Sequence, residues 1–240
     1  NIDYLIKQLT QQPDLSNCQY VFDAIKELNP KTLPVPLLGF AGSPFTVACY
    51  LIQGGSDKVF SSVRELIDTD KQKLHIILDN LTHATILYLE KQIEEGVAGI
   101  QLFDTWASLL SLEEYEDISF PYIKKITHAI SKHNIPVTLY LKNTARYIHL
   151  IKTLPLQVIS IDFTYDIALA RTTIGKNIAL QGNLNPELLL TNKDTITTEV
   201  NNILTKTKHD PGFIFNLGHG ILPPTPLDHV QLVVDLVKNA

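Results

Sequence analysis

Six short apolar runs recur along the chain: PVPLLGFAG (34–42), AGIQLFD (98–104), IPVTLYLK (135–142), QVISIDF (157–163), IALQGN (178–183) and GFIFNLG (212–218). Each is short, nearly continuous and rich in Val, Ile, Leu and Phe, the pattern of a strand covered on both faces. Between them apolar residues return at spacings of three and four. That period predicts helices over 57–69, 71–95, 120–133, 144–154, 165–174, 194–208 and 226–239, with two more near 2–10 and 18–28 ahead of the first strand. In the 71–95 helix the stripe expected to face the sheet is Leu74, Ile77, Leu78, Leu81, Ala84, Leu87, Tyr88 and Ile93, and Gly96 supplies a stop. Near the end, Pro223, Pro224 and Pro226 mark a turn in which Thr225 offers a hydroxyl to cap the last helix.

Strands alternating with helices predict an α/β architecture around a parallel sheet. An open dinucleotide-binding sheet would carry GxGxxG directly after a strand, and no run here is followed by it. The pattern therefore predicts the closed alternative, a (β/α)8 TIM barrel. Such a barrel takes about 250 residues for eight units, whereas these 240 residues supply six strands. The expectation is a single, partial TIM-barrel domain over 1–240, with six of eight βα units and two units missing ahead of the first strand. The chain begins at Asn1 and contains no Met, which leads to the same expectation. An opened barrel is expected to expose two strand edges and to aggregate or recruit a partner.

Composition narrows the class of partner. Hydrophobic residues make up 45% and charged residues 19%, and no apolar stretch reaches the roughly 18 residues of a membrane span, so a soluble protein is expected. A net charge of −5 speaks against nucleic acid or a membrane surface as partner, since both need clustered Lys and Arg. Cys18 and Cys49 are the only cysteines, without a CxxC pair or a Cys/His cluster, so neither a disulfide framework nor a metal site is expected. A reducing cytoplasmic location fits that usage.

In parallel α/β folds ligands gather where the strands end. Small and polar residues crowd those places here: GFAGSPFTVACYLIQGG, LFDTWAS, QGNLNP and NLGHGIL. Taken singly, each candidate admits a structural reading. His219, between Gly218 and Gly220, is either a ligand-facing ring or a turn histidine; the glycines let the backbone approach a ligand closely or adopt positive φ. The Thr105 hydroxyl serves a ligand or bonds its own backbone. Tyr50 reads as packing, Trp106 as packing rather than stacking, and Asp104 as a helix-terminal carboxylate in preference to a general acid or base.

Together these segments resemble the uroporphyrinogen decarboxylase family, in LLGFAGSPFTVACYLIQGG, IQLFDTWAS, ISIDFTYD, LQGNLNP and NLGHGILP, over roughly residues 18–239. The resemblance implies a carboxy-lyase of porphyrin and haem biosynthesis. Such an enzyme converts uroporphyrinogen III to coproporphyrinogen III without cofactor or metal, and acts as a homodimer. It implies that Tyr50, Thr105 and His219 hydrogen-bond the substrate and that Phe40 packs against the macrocycle. At one place the chain departs, since Ser108 stands where the family has Gly. The family's Arg-Gln-Ala-Gly-Arg segment and the aspartate after its second strand are not found, so no catalytic residue is assigned, and the 240 residues alone are expected to be inactive. Two other readings are a corrinoid-dependent methyltransferase of the same superfamily, which would need zinc-binding Cys and His, and a catalytically dead tetrapyrrole-binding barrel.

Overall fold

Pro34 and Pro36 decide where the first strand begins. Neither has an N–H to give to a sheet, so the expected 34–42 strand shortens to β1 (Leu38–Gly42). The computed structural model of the protein describes residues 2–28, 32–55, 57 and 59–240; Asn1, and Lys58 within the expected 57–69 helix, lie outside the described residues. Two compact units divide the chain.

The first unit runs to Leu139 and includes Thr153–Leu156. Ahead of β1 it holds α1 (Ile2–Leu9) and α2 (Gln19–Glu27), and after β1 come α3 (Pro44–Gln53), α4 (Ser61–Thr69) and α5 (Lys71–Glu94). There follow β2 (Gly99–Asp104), a 3-10 turn (Thr105–Leu109), α6 (Leu112–Ile118), α7 (Phe120–Ser131) and the start of β3 (Val137–Leu141). Two of these helices have no counterpart in the periodic pattern. In PFTVACYLIQ almost every residue is apolar, so α3 shows no stripe; its marks are the Ser43 cap, Pro44 in the first turn and Gly54, at φ 76°, past its end. The seven-residue α6 opens with a capping box in which Ser111 and Glu114 each bond the other's backbone N–H.

β1 and β2 are parallel, in register from Leu38 beside Gly99 to Gly42 beside Phe103. Alternation sends Ala41, Ile100 and Leu102 to the helix-covered face, where they are buried, and leaves Leu38, Phe40 and Phe103 exposed on the other face. α5 buries Leu74, Ile77, Leu78 and Leu81 as expected, and then Thr82, Thr85, Leu89 and Gln92. The expected continuation through Ala84, Leu87, Tyr88 and Ile93 is corrected, because those four are only half-buried. An uninterrupted period of 3.6 residues carries the inner face to the polar positions beside them.

Gln92 also explains the edge of β1. Phe40 N–H donates to its Oε1 at 3.0 Å, and its Nε2 donates to Phe40 O at 3.1 Å. These Phe40 groups point away from β2, so one carboxamide takes the place of a neighbouring strand.

The second unit comprises Tyr140–Lys152 and Gln157–Ala240. Its elements are α8 (Thr144–Ile151), β4 (Val158–Ile161), α9 (Ile167–Ile174), β5 (Ala179–Leu184), a 3-10 turn (Pro186–Leu190), α10 (Lys193–Thr207), β6 (Phe213–Leu217) and α11 (Leu227–Lys238). β4, β5 and β6 pair in parallel. Leu184, Ile196, Val200, Ile203 and Val233 form a core on which Phe213, Phe215 and Leu217 pack. The Arg171 guanidinium ties the entries to two strands together: Nε donates to Asp210 at 2.6 Å, Nη1 to the carbonyls of Gly175 and Ile178, and Nη2 to that of Gly212. On β6, Leu217 N–H turns away from β5 and donates to Asn216 Oδ1 at 2.8 Å, so at Phe40 and at Leu217 side chains bond outward-facing backbone groups. The expected Thr225 cap is corrected too. Pro226 occupies the cap of α11 without a side-chain bond, and Thr225 Oγ1 is buried without a partner among the described residues. No described helix is long and apolar enough to cross a membrane.

Replacing Gln92 by Leu keeps the volume but strips both bonds from Phe40, and is expected to cost about 2 kcal/mol of stability. Urea unfolding checks this, and a variant as stable as the parent would show that the edge needs no partner.

Candidate active site

The end of β2 carries a charge where a strand would normally turn apolar. Ser43 N–H donates to Phe103 O at 2.8 Å, extending the ladder one step past Gly42 and bringing Ser43 beside Asp104. The Asp104 side chain is fully buried and accepts three hydroxyl bonds: a short one from Ser43, one from Thr46 at 3.2 Å and one from Ser119 at 2.8 Å. It stands at the N-cap position of the 3-10 turn, a helix-terminal place as expected, but its side chain caps no N–H there. Burial outweighs the three hydroxyls and pushes its pKa up to about 6.

The hydroxyls belong to different elements, and so the carboxylate gathers them. Ser43 caps α3 by accepting from Thr46 N–H, while Ser119 sits at the start of α7. Thr46 Oγ1, while donating to Asp104, accepts Trp106 N–H at 3.2 Å. The turn bearing Thr105 and Trp106 is thereby pinned to α3, the helix that bears Tyr50.

That pinning brings three aromatic rings together. Phe60 and Trp106 lie 4.7 Å apart, and Tyr50 meets both edge to face at 5.8 and 6.1 Å. Trp106 is thus packed, as expected, with its Nε1 buried and unbonded among the described residues. Tyr50 is both packed and accessible: the residue remains 42% exposed and its hydroxyl makes no bond among the described residues. The Thr105 hydroxyl makes no bond to its own backbone; only its carbonyl is engaged, by Ser108 Oγ at 3.1 Å. Phe40 is 61% exposed on the open face of β1, with its ring edge-on to Phe103 at 6.2 Å. In the first unit Phe40, Tyr50 and Thr105 therefore offer an apolar strand face and, beyond the strand ends, two hydroxyls available to an acceptor. Burial first and the Asp104 charge second push the Cys49 thiol pKa far up, which favours the thiol over the nucleophilic thiolate.

In the second unit His219 follows β6. Gly218 N–H donates to Leu184 O at 2.8 Å, and its carbonyl accepts from the buried Tyr140 hydroxyl at 3.1 Å. The reason for a glycine here differs from the one expected: Gly218 does not adopt positive φ, and a Cβ would meet Phe163 N at 2.4 Å. Its room is taken by the chain itself. Gly220 faces open space. The His219 ring stands edge-on to Tyr140 at 6.2 Å, and its Nδ1 accepts Gly220 N–H at 2.7 Å.

The residues reasoning from the sequence passed over are the buried polar groups that hold this end of the unit. Asp162 accepts Thr144 N–H at 3.1 Å and the Thr164 hydroxyl at 2.6 Å, and Asn183 Nδ2 donates to the carbonyls of Asp162 and Tyr165. Their signal was present as Asp and Asn inside apolar runs. No cluster of three or more His, Cys, Asp or Glu suited to a metal occurs among the described residues.

A family model described as uroporphyrinogen decarboxylase (URO-D) matches residues 4–240. The chain belongs to the uroporphyrinogen decarboxylase family. A uroporphyrinogen decarboxylase from Legionella pneumophila (strain Lens) is 40% identical over 225 residues, covering 92% of this chain and 63% of the relative. One from Pseudoalteromonas atlantica is 37% identical over 248 residues, covering 97% of the chain and 70% of the relative. The chain thus spans less than two thirds of the length of the Legionella relative. Among solved structures, a methyltransferase from Methanosarcina mazei matches with a TM-score of 0.77 at 24% identity over 91% of this chain and 63% of that one. A B12-independent methionine synthase from Shewanella sp. W3-18-1 matches at 0.63 and 12% identity, over 95% and 68%. These two likenesses speak to the fold alone. The expected fold class holds: the uroporphyrinogen decarboxylase family is a (β/α)8 barrel family, and six of its strand-and-helix units are found among the described residues.

Because the Asp104 pKa is raised above the ordinary carboxylate value of 3.8, the folded state holds its proton more tightly than the unfolded chain. Its contribution to stability is therefore greatest at low pH and is lost as pH rises through about 6. Relative to Asp104→Asn, the parent is expected to gain roughly 2–3 kcal/mol between about pH 7 and pH 4. Parallel stability–pH curves for the two proteins would contradict this.

Proposed function

We propose that the protein works as a uroporphyrinogen decarboxylase, converting uroporphyrinogen III to coproporphyrinogen III by removing four acetate carboxylates without a cofactor. The observation that carries the reading is the open face of β1 and β2. Leu38, Phe40 and Phe103 stay 49%, 61% and 36% exposed there, and the unbonded hydroxyls of Tyr50 and Thr105 follow beyond the strand ends. A parallel sheet is ordinarily covered on both faces, so an apolar face left open with polar tips nearby suits a flat, apolar ring with acidic arms.

The chemistry needs little from a cofactor. Protonation of the ring carbon next to the one that bears the acetate arm turns the pyrrole into a conjugated cationic imine, which accepts the electron pair of the C–C bond as CO₂ departs. A second proton then completes the methyl group, and the ring carbon releases the first to restore the pyrrole. The protein must hold carboxylates while a ring cation forms, so its donors must be in place before reaction. Tyr50 and Thr105 in the first unit and His219 in the second are the donors this reading uses, and Phe40 is its apolar support. The family arginine segment and aspartate have no match in these 240 residues, so we infer that these residues by themselves bind the tetrapyrrole, while turnover needs the groups those motifs supply. A cytoplasmic homodimer belongs to the same reading.

Titration with uroporphyrin, followed by fluorescence, tests it. Saturable binding is expected, and His219→Ala is expected to weaken it at least tenfold, on the scale of a lost hydrogen bond to a charged group. Absence of saturable binding would sink the reading; coproporphyrinogen production by these 240 residues alone would sink the claim that they do not turn over.

A further inference from the structure

Tyr140, on β3, lies in an apolar setting that, with the Asp162 charge second, pushes its pKa far above the ordinary phenol value. It is thus a phenol that remains protonated and donates. Its acceptor is the carbonyl of Gly218, the residue immediately before His219. Gly218 is gripped on three sides: by Leu184 O at its N–H, by Tyr140 at its carbonyl and by the Phe163 backbone, which leaves no space for a Cβ. The peptide plane that launches His219 is therefore fixed. The same tyrosine offers its ring as the edge-to-face neighbour of the His219 imidazole. With its rotation limited, the imidazole places Nδ1 where Gly220 N–H donates to it. A nitrogen that accepts a hydrogen bond carries no proton, so the ring proton sits on Nε2. Asp162, the nearby carboxylate, is already engaged by Thr144 and Thr164.

We propose that Tyr140 is a positioning residue for His219: it fixes the Gly218 carbonyl and the imidazole plane so that His219 presents a single tautomer, an Nε2–H donor aimed at a carboxylate of the substrate. The carboxylate as target rests on the uroporphyrinogen reading above; the tautomer does not. The Tyr140 role thus separates the geometry of the donor from its chemistry.

The test uses the protein itself and Tyr140→Phe, which keeps the ring and removes only the hydroxyl. Long-range proton–nitrogen spectra of isotope-labelled histidine rings report the tautomer without substrate. The parent is expected to show His219 as the Nε2–H form, and Tyr140→Phe an averaged mixture of both. An Nδ1–H signature in the parent, or an unchanged Nε2–H signature in a folded Tyr140→Phe, overturns the proposal. Uroporphyrin binding supplies the second arm. Tyr140→Phe is expected to weaken it about fivefold to tenfold, and to have no effect in a His219→Ala background. Equal weakening in both backgrounds would make Tyr140 merely structural and overturn the proposal. If the parent binds no uroporphyrin, the functional reading fails, while the tautomer result still decides the role of Tyr140.

Discussion

A carboxylate sealed from bulk solvent organises the first unit. Taking Asp104 out of solvent is unfavourable, and three hydroxyl donors offset only part of that cost, which is why burial dominates its titration. The arrangement persists because those donors arrive from separate elements. Two come from α3 and one from the start of α7, while the carboxylate itself ends β2. A Leu at this position would remove the desolvation cost, but it would leave Ser43, Thr46 and Ser119 without their common acceptor. The turn with Thr105 and Trp106 would then lose its tie to α3. Asp104 touches no position that a ligand is proposed to occupy. Its influence passes through the backbone of the turn and the N-terminus of the helix.

The second unit reaches a similar end by crowding. Its decisive contact is between main chains, where Gly218 passes Phe163 with no space for a side chain. Hydrogen bonds from Asn183 and Tyr140 tighten the neighbouring peptides. One unit thus positions its candidate groups by a shared charge, and the other by steric fit. Mutations should divide accordingly. Changes around Asp104 are sensitive to pH, whereas changes around Gly218 are sensitive to volume.

The strands were legible in the sequence because parallel strands, covered by helices, read as uninterrupted apolar runs; only their ends needed correction, as Pro34 and Pro36 show. α3 was hidden for the same reason, since a helix with no polar face has no period to detect. The resemblance named Phe40, Tyr50, Thr105 and His219, and the structure shows that the hydroxyls of Tyr50 and Thr105 are unbonded among the described residues. What sequence could not show was three-dimensional adjacency. Nothing in the spacing of Ser43, Asp104 and Ser119 announces that they meet, and Gly218 looked like space for a ligand when its space is filled by Phe163. Thr225 failed as a cap because the helix began one residue later, behind Pro226.

The Gln92 carboxamide has one more effect. Along β1, alternate peptides point to opposite sides, and only Phe40 turns both of its groups toward this amide. Sliding β1 by a single residue would present Gly39 or Ala41 instead, with their groups reversed, and would exchange a benzyl ring for a hydrogen atom or a methyl on the open face. Gln92 therefore works as a phase lock: it sets which residues of this strand lie on the open face and which lie against the helices.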